Sequence, residues 1–224
     1  MISINTLIID DHPLIVEATK IALNQSESSS KDLSFKIEVA TTCDGAINIL
    51  DRYPKNETLD LVFLDIRLKP SKDGNILSGE DLGIRIRNQF EDVKIIVITS
   101  FNDNLRLNSI LKNVDPDALM VKNDLTPKKF LKAIESVLND ETYYCKTSSK
   151  LIRILLTNDI TLDAYDRRIL YELSIGTKMN ELPNLLPLSL GGIENRKRRL
   201  LDIFNVSSRD DRQLIQGAKE KGFI

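Results

Sequence analysis

The chain of 224 residues is short of several things that would mark out particular classes of protein. It has two cysteines, Cys43 and Cys145, one histidine, His12, and no apolar stretch near the roughly 18 to 20 residues that a membrane span needs. The cysteines lie too far apart for a metal-knuckle spacing. With no basic, signal-like start before the first apolar run, they are expected to be reduced thiols without chemistry of their own. The expected location is cytoplasmic, away from membranes. A formal net charge of -2 excludes a protein that coats nucleic acid over its whole surface, but it conceals the local run Arg196-Lys197-Arg198-Arg199. What remains, 42% hydrophobic and 29% charged residues, is the composition of a globular protein long enough for two small domains.

Leu61-Val62-Phe63-Leu64 runs without interruption into Asp65. So short an apolar run predicts a strand buried on both faces, with the carboxylate at the end where an open parallel sheet places its chemistry. Similar runs predict strands at residues 6–9, ending in Asp10-Asp11-His12-Pro13, at 35–40, at 94–98, ending in Thr99-Ser100, and at 118–121, ending in Lys122. Helical spacing fills the intervals at residues 14–24, 44–52, 80–90, 103–113 and 127–138, while the serine-rich residues 26–34 read as a flexible connection. Five strands alternating with five helices predict an α/β fold, a five-stranded doubly wound parallel sheet with helices on both faces.

In such a sheet the polar strand ends share one edge, which gathers Asp10, Asp11, Asp65, Thr99 and Lys122. Taken singly, Asp10 and Asp11 are as readily caps of the helix that follows, and His12 before Pro13 reads as a turn residue at a helix start. Together the residues describe a phosphoryl-transfer site. Three converging carboxylates raise one another's pKa, a strain relieved by a divalent cation, and an all-oxygen set suits Mg²⁺. Asp65 can then attack phosphorus, with Lys122 and the Thr99 hydroxyl binding the phosphoryl oxygens.

On these residues, 1–140 resembles the receiver domain of a two-component response regulator, and the Asp-Asp-His-Pro opening resembles the NarL/FixJ subfamily. The resemblance implies a flavodoxin-like fold with Asp65 as phosphoacceptor. It implies Mg²⁺ held by Asp11, Asp65 and the main-chain carbonyl of Arg67, with Asp10 acting through water, and a sensor histidine kinase as donor. Such a protein is a phosphoacceptor, with at most weak self-dephosphorylation, rather than an enzyme. Three features depart from the family pattern. Residues 69–78 carry an insertion that displaces Pro70 by one. Leu119 stands where an aromatic is usual three residues before the lysine. Asn123 stands where many members have proline.

Residues 141–158 read as a linker, with residues 151–156 able to form a helix. From 159 to 224 the pattern is all helical. Tyr165, Ile169, Leu170 and Leu173 form an apolar stripe ending before Gly176, a short segment spans 179–186, Ser189 caps a helix to Phe204, and Ser207 or Ser208 opens a last helix. Leu170 and Gly176, Glu181-Leu182, Leu188-Ser189, Ile193, Phe204-Asn205-Val206 and Ser208-Arg209 resemble a LuxR-type helix-turn-helix. That resemblance implies double-stranded DNA as partner, with Glu194, Asn195 and Arg198 entering the groove, Ser189 and Arg199 beside them, and a homodimer when active. Pro183 and Pro187 interrupt the first helix of the pair, and Gly191-Gly192 weakens the start of the second.

Two other readings compete with a phosphorylation-controlled transcription factor. A phosphatase with Asp65 as nucleophile is disfavoured by Arg67, which stands where such enzymes place a second acid. A protein-interaction module, whose C-terminal helices do not bind DNA, is kept open by the prolines and glycines.

Overall fold

The computed structural model describes residues 2–30, 32–54, 57–100, 104–155, 162–207, 210–220 and 223. The chain begins as an alternation of strands β1 (Ile2–Ile9), β2 (Leu33–Ala40), β3 (Leu61–Leu64), β4 (Lys94–Thr99) and β5 (Ala118–Val121) with helices α1 (Pro13–Ser29), α2 (Cys43–Asp51), α3 (Gly79–Gln89), α4 (Asn104–Asn113) and α5 (Pro127–Leu138). All strand pairs are parallel. The order is β2-β1-β3-β4-β5, and a sixth strand, β6 (Tyr143–Tyr144), adds to β5 at the edge. Two residues carry no periodicity, so β6 has no sequence signal of its own; tertiary pairing with Ala118 and Leu119 makes it a strand.

The residues of β3 divide between two cores. Leu61 and Phe63 pack with Val16, Leu23, Phe130 and Ile134 under α1 and α5. Val62 and Leu64 pack with Ala46, Leu50, Leu82 and Ile86 under α2 and α3. This strict alternation of two buried faces is why the run is apolar throughout, and it fixes the register, since a slip of one residue exchanges the faces. Each such side chain contributes about 1.5 to 3 kcal/mol by leaving water.

The serine-rich segment is less irregular than its composition suggests. Helix α1 continues to Ser29, and the hydroxyls of Ser28 and Ser29 donate back to the carbonyls of Asn24 and Gln25, so that both are satisfied within the helix.

After β6, α6 (Lys146–Leu155) packs on α4 and β5, anchored by the Ser148 hydroxyl donating to the Leu119 carbonyl at 3.0 Å. The C-terminal helical domain contains α7 (Ala164–Ser174), a 3-10 turn (Leu182–Asn184), α8 (Leu190–Ile203) and α9 (Asp211–Glu220) around Ile169, Leu170, Leu182, Ile193, Leu200 and Leu214. The proline-containing segment forms only that single 3-10 turn before α8. Ser189 does cap α8, accepting from the Gly192 N–H at 3.2 Å. Helix α8 ends at Asn205 in the left-handed region, φ 55°, with the Val206 N–H bonded to the Leu201 carbonyl. Ser208 and Arg209, read as part of the last helix-turn-helix motif, lie outside the described residues. The α7 stripe is turned from its expected position: Tyr165 is 39% exposed, and Asp166 and Arg167 are buried in its place.

Candidate functional site

Strands β1 and β3 are neighbours, with Ile9 opposite Leu64, so the residues that follow them, Asp10 and Asp65, emerge side by side. The Asp65 N–H donates to the Ile9 carbonyl at 2.8 Å and the Asp10 N–H to the Ala40 carbonyl at 3.1 Å, which holds both at the C-terminal edge of the sheet. Thr99, fully buried, ends β4 opposite Val121, and Lys122 follows at once. Parallel pairing thus brings together residues more than a hundred positions apart.

Lys122 ties the two acids. Its Nζ donates to Asp65 Oδ2 at 2.7 Å and to Asp10 Oδ1 at 3.0 Å, with Asp10 Oδ2 at 2.8 Å. Asp65 Oδ1 accepts the Arg67 N–H at 3.0 Å. Burial pushes the Asp65 carboxyl above the usual carboxylate range; Lys122 and the Arg67 N–H pull the other way, and Asp10 adds to the rise. Lys122 is therefore what makes a carboxylate anion tolerable at this depth.

Asp10, Asp11, His12 and Asp65 each offer a ligand atom within 4.8 Å of the others. Three converging carboxylate oxygens make an acidic pocket of the type that holds a divalent cation. The histidine ring was not expected there. Its Nδ1 lies 2.6 Å from Asp11 Oδ1, 3.1 Å from Asp10 Oδ1 and 3.2 Å from Lys122 Nζ. His12 does also stand at the N-cap of α1, where its backbone N–H donates to Asp10 Oδ1 at 2.8 Å. Its position next to two aspartates was the only sign of this in the sequence.

Residues 6–135 match the family model of the response regulator receiver domain. The chain belongs to the response regulator receiver family. As a whole it is similar to the oxygen regulatory protein NreC of Staphylococcus epidermidis, 23% identical over 234 residues that span 97% of this chain and 98% of that protein. The Staphylococcus aureus NreC is 24% identical over 232 residues, spanning 97% and 98%. In fold it is similar to RcsB from Salmonella enterica serovar Typhimurium bound to the promoter rprA in the presence of phosphomimetic BeF3-. The TM-score is 0.65 at 19% identity, covering 97% of this chain and 99% of RcsB. RcsB bound to the promoter P1flhDC gives 0.58 at 20% identity, covering 96% and 97%.

At the three positions read as departures from the family pattern, the structure shows the local conformation. Residues 69–78 form an ordered loop in which the Ser71 hydroxyl donates to Asp73 at 2.6 Å and Gly74 adopts φ 65°. Leu119 is wholly buried against the core beneath α2 and α3. Asn123 lies in a 3-10 turn, Lys122–Asp124, and among the described residues no peptide bond is cis.

In the C-terminal domain, Ser189, Glu194, Asn195, Arg198 and Arg199 are exposed on α8. The basic run divides. Arg196 donates to Asp163 at 2.7 Å and to the buried Asp166 at 2.8 Å at the start of α7, and Lys197 pairs with Asp211 of α9. These two cations hold the helices together. Arg199 Nη1 leans toward Asp166 at 3.6 Å and is half exposed, while Arg198 faces outward beside Glu194. Among the described residues no helix is long and apolar enough to cross a membrane.

Proposed function

We propose that this receiver protein is a two-component transcription regulator: Asp65 takes a phosphoryl group from a phosphohistidine on a sensor kinase, and phosphorylation controls sequence-specific binding of double-stranded DNA by a homodimer. The observation that carries the reading is Lys122 bridging Asp10 and Asp65 at the mouth of an acidic pocket in a receiver fold. An Asp65 oxygen forms the new O–P bond as the donor's P–N bond breaks, and the imidazole keeps the bonding pair. Lys122 then exchanges its carboxylate contact for a phosphoryl oxygen, and Thr99 donates to another. Asp10, Asp11, Asp65 and the Arg67 carbonyl would hold Mg²⁺, which supplies positive charge against the incoming phosphoryl oxygens. The chain acts as a phosphoacceptor rather than as an enzyme with turnover.

DNA binding draws support from similarity to RcsB, whose structures contain promoter DNA, and from the exposed Asn195, Arg198 and Arg199 on α8. The domains in this reading are residues 1–140 and 159–224, joined by 141–158. A protein-interaction role for the C-terminal helices is favoured by one observation: a single 3-10 turn stands where the first helix of a helix-turn-helix pair is expected. Incubation with a small acyl phosphate and Mg²⁺, followed by intact-mass measurement, tests the first step. One added phosphoryl group is expected in the wild type and none in Asp65→Asn. Fluorescence anisotropy on cognate and scrambled duplexes at two salt concentrations separates DNA from protein partners.

A further inference from the structure

The C-terminal domain sits over the phosphoacceptor. A cavity of about 500 Å³ is lined from the receiver side by Asp11, Arg67 and Ser100, and from the other by Tyr171, Ser174 and Lys219. Asp65 itself is 1% exposed, and Asp11 and His12, which share its cluster, line this cavity. Among the described residues, this cavity gives a route to the carboxylate that runs between the domains.

A buried ion pair holds the two sides together. Arg167 of α7, 2% exposed, donates to Glu80 Oε1 at 2.9 Å and to Asp81 Oδ1 at 2.9 Å, both on the first turn of α3. Glu80, wholly buried, also accepts from Ser109 at 2.7 Å and Asn113 at 2.8 Å of α4. Next to Arg167, Arg168 donates to the Gly74 carbonyl, so the inserted loop is part of the same attachment. Buried charges that pair across a boundary set a specific arrangement more than they add stability, because each has been taken out of water. Helix α3 starts directly against the phosphoacceptor, with the Gly79 N–H bonded to the Ile66 carbonyl at 3.0 Å.

The geometry points to a gate that selects phosphoryl donors by size: with Arg167 on Glu80, the cavity admits a small acyl phosphate to Asp65 and excludes a phosphohistidine carried on a protein. This rests on Asp65 being the phosphoacceptor. An acyl phosphate has few atoms and fits the cavity, whereas a helix bearing a histidine is about 10–12 Å across with its side chains. In the small-donor reaction the acyl C–O–P bond breaks at phosphorus, the pair leaves with the acyl carboxylate, and Asp65 forms the O–P bond with a divalent cation present. A protein donor performs the same displacement at a P–N bond, after the domains have parted.

The full-length wild type is compared with Arg167→Met and with the double variant Glu80→Gln/Arg167→Met, which leaves neither charge buried alone. Labelling by acetyl phosphate with Mg²⁺ is followed by intact mass, transfer from a panel of autophosphorylated sensor kinases by radiolabel, and domain separation by small-angle scattering. Acetyl phosphate rates within twofold of wild type are expected in both variants, together with a larger radius of gyration and at least tenfold faster transfer from a kinase. Equal kinase transfer to wild type and variants, or none to any of them, overturns the gate. So does a parallel rise in the acetyl phosphate rate. Absence of acetyl phosphate labelling in all three proteins removes Asp65 as acceptor and the gate with it, a failure distinct from indifference to the ion pair.

Discussion

Gly79 lies so close to Asp65 that a Cβ on it would fall 1.9 Å from the Asp65 carbonyl oxygen and 2.8 Å from Ile66 Cα. Both obstacles are backbone, so neither can rotate aside. Gly79→Ala is expected to push α3 away from β3, at a cost of about 2 to 3 kcal/mol. Thermal melting should fall and acyl-phosphate labelling of Asp65 should drop with it. A variant that melts and labels as the wild type does would show that the approach is looser than this.

Removing the bridging ammonium leaves two buried carboxylates facing each other. Lys122→Met is expected to lose about 3 kcal/mol at pH 7.5, in the range for breaking a buried pair. The sign with pH follows from the direction of the Asp65 shift. A carboxyl whose folded pKa lies above its unfolded value binds its proton more tightly when folded, so stability falls as pH climbs from the unfolded value through the folded one. The variant should therefore recover stability on acidification from pH 7.5 toward 5, and Mg²⁺ at pH 7.5 should raise its melting temperature more than the wild type's. Melting curves unmoved by either treatment would be the contrary result. Asp11→Ala should weaken metal binding first and leave the ammonium bridge in place.

Arg196 and Arg198 stand two residues apart on α8 with opposite expected effects. Arg196→Ala removes the shorter of the two cation contacts to the buried Asp166, leaving Arg199 Nη1 at 3.6 Å, and should cost the C-terminal domain about 1 to 2 kcal/mol. Arg198→Ala should change stability by less than about 0.5 kcal/mol and act on duplex binding. Burial pushes Asp163 up, but the Asp166 N–H and Arg196 outweigh it and hold the carboxyl below its ordinary value. Its contribution is present above the unfolded pKa, about 4, and is lost as pH falls through the lower folded value. Because Asp163 is half exposed, solvent screening keeps that contribution under about 1 kcal/mol. Urea melts of both variants, with anisotropy on a labelled duplex, check the division.

Burial pushes the Cys43 thiol up to about 12, with Asp44 and Asp81 adding to the rise, and its side chain is 1% exposed. At pH 8 it is a neutral, shielded thiol. Iodoacetamide should leave it unmodified in the native protein and alkylate it readily in urea, as mass spectrometry of the peptide will read. Rapid native modification would contradict the packing of α2 against β2 and α3.

The strands and the acids at their ends were legible in the sequence because a strand buried on both faces needs an unbroken apolar run, and the run through Leu61 to Leu64 stops abruptly at Asp65. Ser189 as cap and Ile193 and Leu200 as the inner face of α8 were legible for a similar local reason, the period of a helix. What escaped is set by partners distant in the chain. Tyr143 and Tyr144 become a strand only because β5 offers an open edge. Periodicity places Tyr165 in the apolar stripe, yet Tyr165 is exposed and Arg167 is buried, because Glu80, 87 residues earlier, meets it there. The same holds for the basic run, in which composition gives four equivalent cations and packing assigns Arg196 and Lys197 to neighbouring helices. A local pattern encodes what a residue does to its own element; which charge ends up paired, and with what, is decided only when the elements meet.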